Sequence, residues 1–189
     1  MVDGVVLLVD ATEGPMAQTK FVLAKALKWG LNPIVVFNKV DRESSRCDEV
    51  DSELFDLFAA LEATEEQIEY PAVYASAKNG WAVTDNPRSN GTLREIKNGN
   101  MDCLFEAIIK HLPCPKVERN APFSMLVTNL EANQFLGTCV LGRIQSGKVS
   151  IGDTVKSMSE DGTVIEQGKV ARLFNRRGLE QVIYLFISD

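Results

Sequence analysis

Apolar and polar residues change their period along this chain, and each change predicts a different kind of element. Val5-Val6-Leu7-Leu8-Val9 is an unbroken aliphatic run that stops at Asp10, the pattern of a strand buried on both faces of a parallel sheet. Gly14-Pro15 supplies a loop with a proline near the first helical turn. Thr19, Val22, Leu23, Ala26 and Leu27 then recur at helical spacing, and Gly30 stands where a helix-ending glycine belongs. Pro33 to Phe37 predicts a second buried strand. The unit recurs with Val50, Leu54, Leu57, Phe58 and Leu61 on one helical face, Thr64 and Gln67 at capping-box spacing, and a third strand from Tyr70 to Ala75. After a polar loop from Asn79 to Asn100, Leu104, Phe105, Ile108 and Leu112 mark one more amphipathic helix. Strands alternating with helices predict an α/β fold with a doubly wound parallel sheet, whose ligands sit at the carboxyl ends of its strands.

The pattern then shifts to short strands. Pro113, Pro115 and Pro122 bracket a charged segment that cannot continue a helix, which predicts a first domain over 1–112, a linker over 113–121 and a second domain over 122–189. Ser124 to Asn129, Gly137 to Ile144, Thr154 to Met158 and Val164 to Phe174 alternate with Gly147, Gly152 and Asp161-Gly162, as in a small, partial antiparallel barrel. The tail from Leu179 to Asp189 carries the uncharged, strand-prone run Val182 to Ile187 and is expected to present an open, adhesive edge. With 189 residues, 45% of them apolar, the chain has room for two small cores.

Composition narrows the partners. A net charge of −6 lacks the broad basic footprint of a protein that wraps nucleic acid, so DNA is not an expected partner and any RNA contact would be local. The longest apolar runs fall far short of the roughly 20 residues of a membrane helix. Met1-Val2-Asp3 has no basic region of a secretory signal, so cytoplasm or an organelle matrix is the expected location. Cys47, Cys103, Cys114 and Cys139 form no Cys-x-x-Cys and are expected to be reduced, mostly buried thiols rather than zinc ligands or a redox pair. His111 is the single histidine, which excludes a Ser/His/Asp triad and a His-rich metal site. At a helix end it suits the helix dipole. The acids Asp48, Glu49, Asp51, Glu53 and Asp56 open a helix, where they also suit the dipole, and no metal ligand is assigned. Trp29 and Trp81 are expected to pack, and Asn90-Gly91-Thr92 reads as a plain loop despite its sequon spacing.

The chemistry concentrates in two short motifs. Asn38-Lys39-Val40-Asp41 leaves the second strand and Ser76-Ala77-Lys78 leaves the third, both at the edge where such a sheet binds its ligand. The pair resembles the base-holding motifs of translational GTPases, and on that resemblance Asp41 accepts from the ring N–H and exocyclic amine of guanine. Asn38 braces the base and its loops, the Ser76-Ala77 backbone donates to the guanine carbonyl, and the stems of Lys39 and Lys78 flank the ring. A carboxylate facing two donors is a pairing adenine cannot supply.

Met1-Val2-Asp3-Gly4, Val9-Asp10-Ala11, Glu13-Gly14-Pro15-Met16, Gln18 to Leu23 and Asn38 to Arg42 together resemble the TypA/BipA class of ribosome-associated GTPases. The likeness runs through Leu104 to Ile108 and Gly142-Arg143-Ile144 to about Gly178, with a poor fit over Asn79 to Asn100 and beyond Gly178. It implies GTP or GDP as ligand, the ribosome (rRNA and ribosomal proteins) as partner, GTP hydrolysis as the family's activity and magnesium as its cofactor. The family's Gly-rich phosphate loop, its switch segment and its Asp-x-x-Gly-His element are upstream of the strand that opens this sequence. The chain therefore reads as a fragment keeping the guanine-recognition motifs, inactive alone, with no catalytic residue and no magnesium ligand assigned. Gly142 to Lys148 has phosphate-loop spacing, but Val149 replaces the Ser or Thr that magnesium requires, so a hairpin is expected there. The competing reading is a non-enzymatic remnant that binds ribosomal or protein partners and holds no nucleotide.

Overall fold

Three of the apolar runs become neighbouring parallel strands in the computed structural model, which describes residues 2–89, 92–96, 99–116 and 118–188. They are β1 (Val5–Asp10), β2 (Pro33–Asn38) and β3 (Ala72–Ser76). Between β1 and β2 runs α1 (Ala17–Lys28). Its end is a Schellman cap, in which the Gly30 N–H donates to Leu27 O (2.9 Å) and the Leu31 N–H to Ala26 O (3.1 Å). That cap needs Gly30 at φ +69°, where glycine alone pays no steric penalty. Between β2 and β3 lie α2 (Cys47–Ala60) and the short α3 (Glu65–Ile68), the latter opened by the Thr64/Gln67 capping box that the spacing predicts. The segment read as a loop contains β4 (Trp81–Val83), antiparallel to β3, and the minimal pair β5 (Arg88–Ser89) and β6 (Thr92–Leu93). Asn90 and Gly91 of the sequon lie outside the described residues. α4 (Asp102–His111) follows.

The sheet order is β1-β2-β3-β4, with helices on both faces. One layer buries Leu7, Val9, Leu23, Val35, Phe37, Val50, Leu54, Phe58 and Trp81 around α1 and α2. The other buries Ile34, Val36, Val73, Ala75 and Ala82 under Leu104, Ala107 and Ile108 of α4. Phe37 stacks on Tyr74, its partner on the next strand, with ring centroids 5.1 Å apart. Four expectations change here. β1 is buried on one face only, because α4 reaches β2 and β4 and leaves Val6 and Leu8 39% and 60% exposed. Phe105 lies off the packed stripe of α4 and is exposed. Trp81 packs as expected, whereas Trp29, at the C-cap of α1, is exposed. Among the cysteines only Cys47 is buried, with Cys103 and Cys139 half-buried and Cys114 exposed.

Contacts divide the chain after Cys114. The second unit is a set of antiparallel ladders. β7 (Ser124–Asn133) pairs with β8 (Gly137–Ser146), and β10 (Thr154–Met158) with β11 (Val164–Lys169). β12 (Leu173–Arg177) pairs with β13 (Glu180–Tyr184), and β9 (Lys148–Ser150) with β14 (Phe186–Ser188). Gly142 to Lys148 runs from β8 across a bend at Gly147 into β9, but it is not the expected hairpin, since β8 pairs with β7 and β9 with β14, and a Cβ at Gly142 would strike the Leu126 carbonyl of the facing strand. The tail is paired along one edge only, β13 with β12 and β14 with β9 in two-stranded ladders, and Ile183, Leu185 and Phe186 stay exposed. Its apolar run spans the end of one ladder and the start of the next, which is why it reads as surplus when only local pattern is considered.

Candidate functional site

Parallel register builds the site. Asp10 pairs with Asn38 and Asn38 with Ala75, so three strands end within a residue of one another and their loops share one edge. Asn38 ties these ends together, its main-chain oxygen accepting the Ala11 N–H (2.9 Å) and its Oδ1 accepting the Ala77 N–H (3.1 Å). Ser76 is fully buried, and its Oγ accepts from Nδ2 of Asn79 (3.0 Å) while its carbonyl takes the Asn79 N–H (3.1 Å). The loop after β3 is thereby closed into a tight turn, with Ala77 and Lys78 exposed at its tip.

Lys39 adopts the left-handed region at φ +66°, which costs a non-glycine residue on the order of 1 kcal/mol. The consequence is a sharp change of direction. The Val40 N–H returns to Ala75 O (3.3 Å) and its side chain is fully buried, so Asp41 emerges half-buried at the edge. The Asp41 carboxylate accepts no hydrogen bond among the described residues. Lys39 turns toward β1, its Nζ 2.5 Å from Oδ2 of Asp10, and Oδ1 of Asp10 accepts the Thr12 N–H (2.8 Å). Burial pushes the Asp10 carboxyl up, but the bonds from Lys39 and Thr12 together with the lysine charge outweigh it and hold Asp10 below its ordinary value. Lys39 is 42% exposed, so the pair contributes no more than about 1 kcal/mol.

Two guanidinium groups that local pattern does not reveal hold the loops. Arg46, at the start of α2, donates from Nε to Thr12 O (2.9 Å) and from Nη2 to Glu13 O (3.2 Å), and pairs with Glu49 and Glu53. Arg88 donates to Val40 O, Arg42 O and Glu43 O. The loop contacts of both go to main-chain carbonyls, which every residue carries, so no letter in the sequence marks those contacts. The acids of α2 are likewise engaged, Asp51 by the Tyr70 hydroxyl (2.8 Å) and Asp48 by Asn86 Nδ2 (2.8 Å).

Of the six predicted residues, Asn38, Ser76 and Ala77 form one bonded cluster, Asp41 and Lys78 stand at its rim, and the Lys39 ammonium is held on the β1 side. On that side lies a cavity of about 270 Å³ bounded by Leu8, Asp10, Glu13, Met16, Asn38 and Lys39. Its lining offers two carboxylates and one ammonium already paired, a poor environment for phosphate. The Ala77 N–H is already donated to Asn38, so a ligand carbonyl would have to share it. The arrangement can read a planar, polar group with adjacent donors for Asp41 and an acceptor for the turn after β3.

The profile of the elongation factor Tu GTP binding domain matches residues 1–114. A protein of Bacillus subtilis (strain 168) named large ribosomal subunit assembly factor BipA is 46% identical over 182 residues, 96% of this chain and 28% of the relative. Proteins of the same name from Escherichia coli (strain K12) and Haemophilus influenzae are each 43% identical over 96% of the chain. The resemblance to the BipA class read from the motifs is borne out, and the chain spans 28% of the length of these relatives.

Proposed function

This chain belongs to the family of the elongation factor Tu GTP-binding domain, and from that premise we propose that its first unit reads the guanine base of GTP or GDP. Residues 1–112 then correspond to the base-binding part of a GTPase domain and 122–189 to part of a translation-factor-like barrel, joined by the linker 113–121. The bond from the Ala77 N–H to Asn38 Oδ1 (3.1 Å), which locks the two motifs together beside a carboxylate lacking any described partner, carries this reading. Asp41 accepts the ring N–H and the exocyclic amine, the turn at Ser76 and Ala77 offers its amide to the guanine carbonyl, and the stems of Lys39 and Lys78 flank the ring. Adenine would leave Asp41 facing an acceptor, a mismatch costing about 1.5 to 3 kcal/mol.

The relatives' name places them in assembly of the large ribosomal subunit, and by that likeness we assign this chain a ribosomal partner. Magnesium, which the family implies, does not suit the groups beside the cavity. Asp10 is committed to Lys39 and the Thr12 amide, which leaves Glu13 as the remaining carboxylate of the cavity lining, so no step is derived through the metal. Base contacts without a phosphate cradle give weak binding, near a millimolar dissociation constant or about −4 kcal/mol. The test is displacement of a fluorescent guanine nucleotide. GDP is expected to compete and ADP not, and equal competition, or none, would favour a module that binds macromolecular partners without nucleotide.

A further inference from the structure

Asp41 can discriminate only if its carboxylate is held still, and the peptide planes on either side of it decide that. The plane after Asp41 is fixed within the turn, where the Arg42 N–H donates to Lys39 O (3.1 Å). The plane before it carries the Val40 carbonyl, which points to Ser45 Oγ (3.2 Å) and to Nε of Arg88 (3.0 Å). Nη2 of Arg88 reaches Arg42 O (2.5 Å) and Nη1 reaches Glu43 O (3.4 Å). One guanidinium thus gathers the carbonyls of Val40, Arg42 and Glu43 in the loop between β2 and α2 that carries Asp41. The donor is itself anchored, because the Arg88 N–H donates to Asn86 Oδ1 (3.0 Å) and Asn86 Nδ2 donates to Asp48 Oδ1 (2.8 Å) at the start of α2.

Resting on the guanine reading above, we propose that Arg88 is a positioning residue of the base site, setting the carboxylate of Asp41 for the exocyclic amine of guanine. A planar fork with five donors fixes several acceptors at once, which the single ammonium of lysine cannot do. Charge-assisted bonds to the carbonyls resist the rotation that would swing Asp41 out of line. The residue comes from the segment between β3 and α4, outside both motifs. The role assigned to it is exerted through the loop that carries Asp41.

Inosine diphosphate keeps the ring N–H of guanine and lacks the exocyclic amine, so the ratio of GDP to inosine diphosphate affinity reports the second contact of Asp41 alone. Chemical-shift titrations of the 189-residue chain with GDP, inosine diphosphate and ADP are compared for parent, Arg88→Ala and Arg88→Lys, alongside thermal melting and amide exchange. The parent is expected to favour GDP over inosine diphosphate by about tenfold. Arg88→Ala is expected to bring that ratio near unity and to speed exchange of the Arg42 and Ser45 amides, with Val36 and Val73 unaffected, and Arg88→Lys to fall between. If the parent does not distinguish GDP from ADP, the guanine reading fails and this assignment with it. A parent that does so beside a folded Arg88→Ala with an undiminished ratio overturns the assignment alone. Should Arg88→Ala not fold, an Arg88→Lys chain with the full ratio would make Arg88 structural and equally overturn it.

Discussion

Asp41 and Asp10 stand at the same edge of the sheet and are expected to answer to different measurements. Asp41 accepts no bond from the described residues, so Asp41→Ala should leave folding intact while removing about 1.5 to 3 kcal/mol of GDP binding, the worth of hydrogen bonds to a charged group. GDP and ADP competition on the variant checks this, and retained guanine preference would refute it. Asp10 is engaged by Lys39 and Thr12 and its carboxyl lies below the ordinary value. A depressed carboxyl contributes stability that is present above its unfolded value, near 3.9, and is lost as pH falls through the folded one. Urea midpoints should therefore show Asp10→Asn less stable than the parent at pH 6.5, with the gap shrinking below about pH 4. A gap independent of pH would show that Lys39 does not hold the carboxylate. The two motifs stand out in the sequence by side-chain identity, and the fold brings Asn38 of one against Ala77 of the other. The loop-holding roles of Arg46 and Arg88 were not legible there, because those contacts go to carbonyls brought near only by the fold.

At the scale of elements, local pattern succeeded wherever one face or one cap decides the structure. The α1 stop at Gly30 and the Thr64/Gln67 box were both readable from spacing alone. Thr64→Ala removes the hydroxyl of that box and is expected to cost about 1 kcal/mol in urea denaturation of the first unit. An unchanged midpoint would mean the α3 turn is held by Gln67, whose Nε2 also donates to Leu31 O (3.2 Å). Pattern failed where neighbours decide. Whether Val6 and Leu8 are covered depends on where α4 packs, and whether Val182 to Ile187 is surplus depends on β12 and β9. Val149 is the one hydrophobic side chain buried among the described residues of the second unit, and its strand β9 pairs with β14. Ending the chain at Gly178 removes β13 and β14 and is expected to collapse that unit, read as loss of its dispersed amide resonances and of soluble yield. Unchanged resonances for Val149 and its neighbours would show that these ladders are dispensable.

For the whole molecule, the guanine reading proposed above concerns recognition and leaves catalysis a separate question. Phosphoryl transfer is accelerated by groups placed around the phosphates and the attacking water. Base contacts are alike in ground and transition states and do not lower the barrier. The chain with magnesium is therefore expected to release phosphate from GTP at the background rate, with or without ribosomes, and no faster than Asp41→Ala. Turnover above that control, scaling with protein, would mean that catalytic groups exist elsewhere in the sequence. The strand order β1-β2-β3-β4 also governs how the first unit comes into being, because it repeats the order of the chain. Each of these strands adds to the outer edge of the one before it, so none is threaded between the others, and the face of Ile34, Val36 and Val73 is covered when α4 follows. Loop closure is confined to one helical crossover at a time, which keeps the entropic barrier of each addition small. Assembly can then proceed vectorially, with the edge that carries Asn38 and Ser76 closed once β3 and its turn have emerged, and Arg88 joining the loop after β2 only when the segment beyond β4 follows.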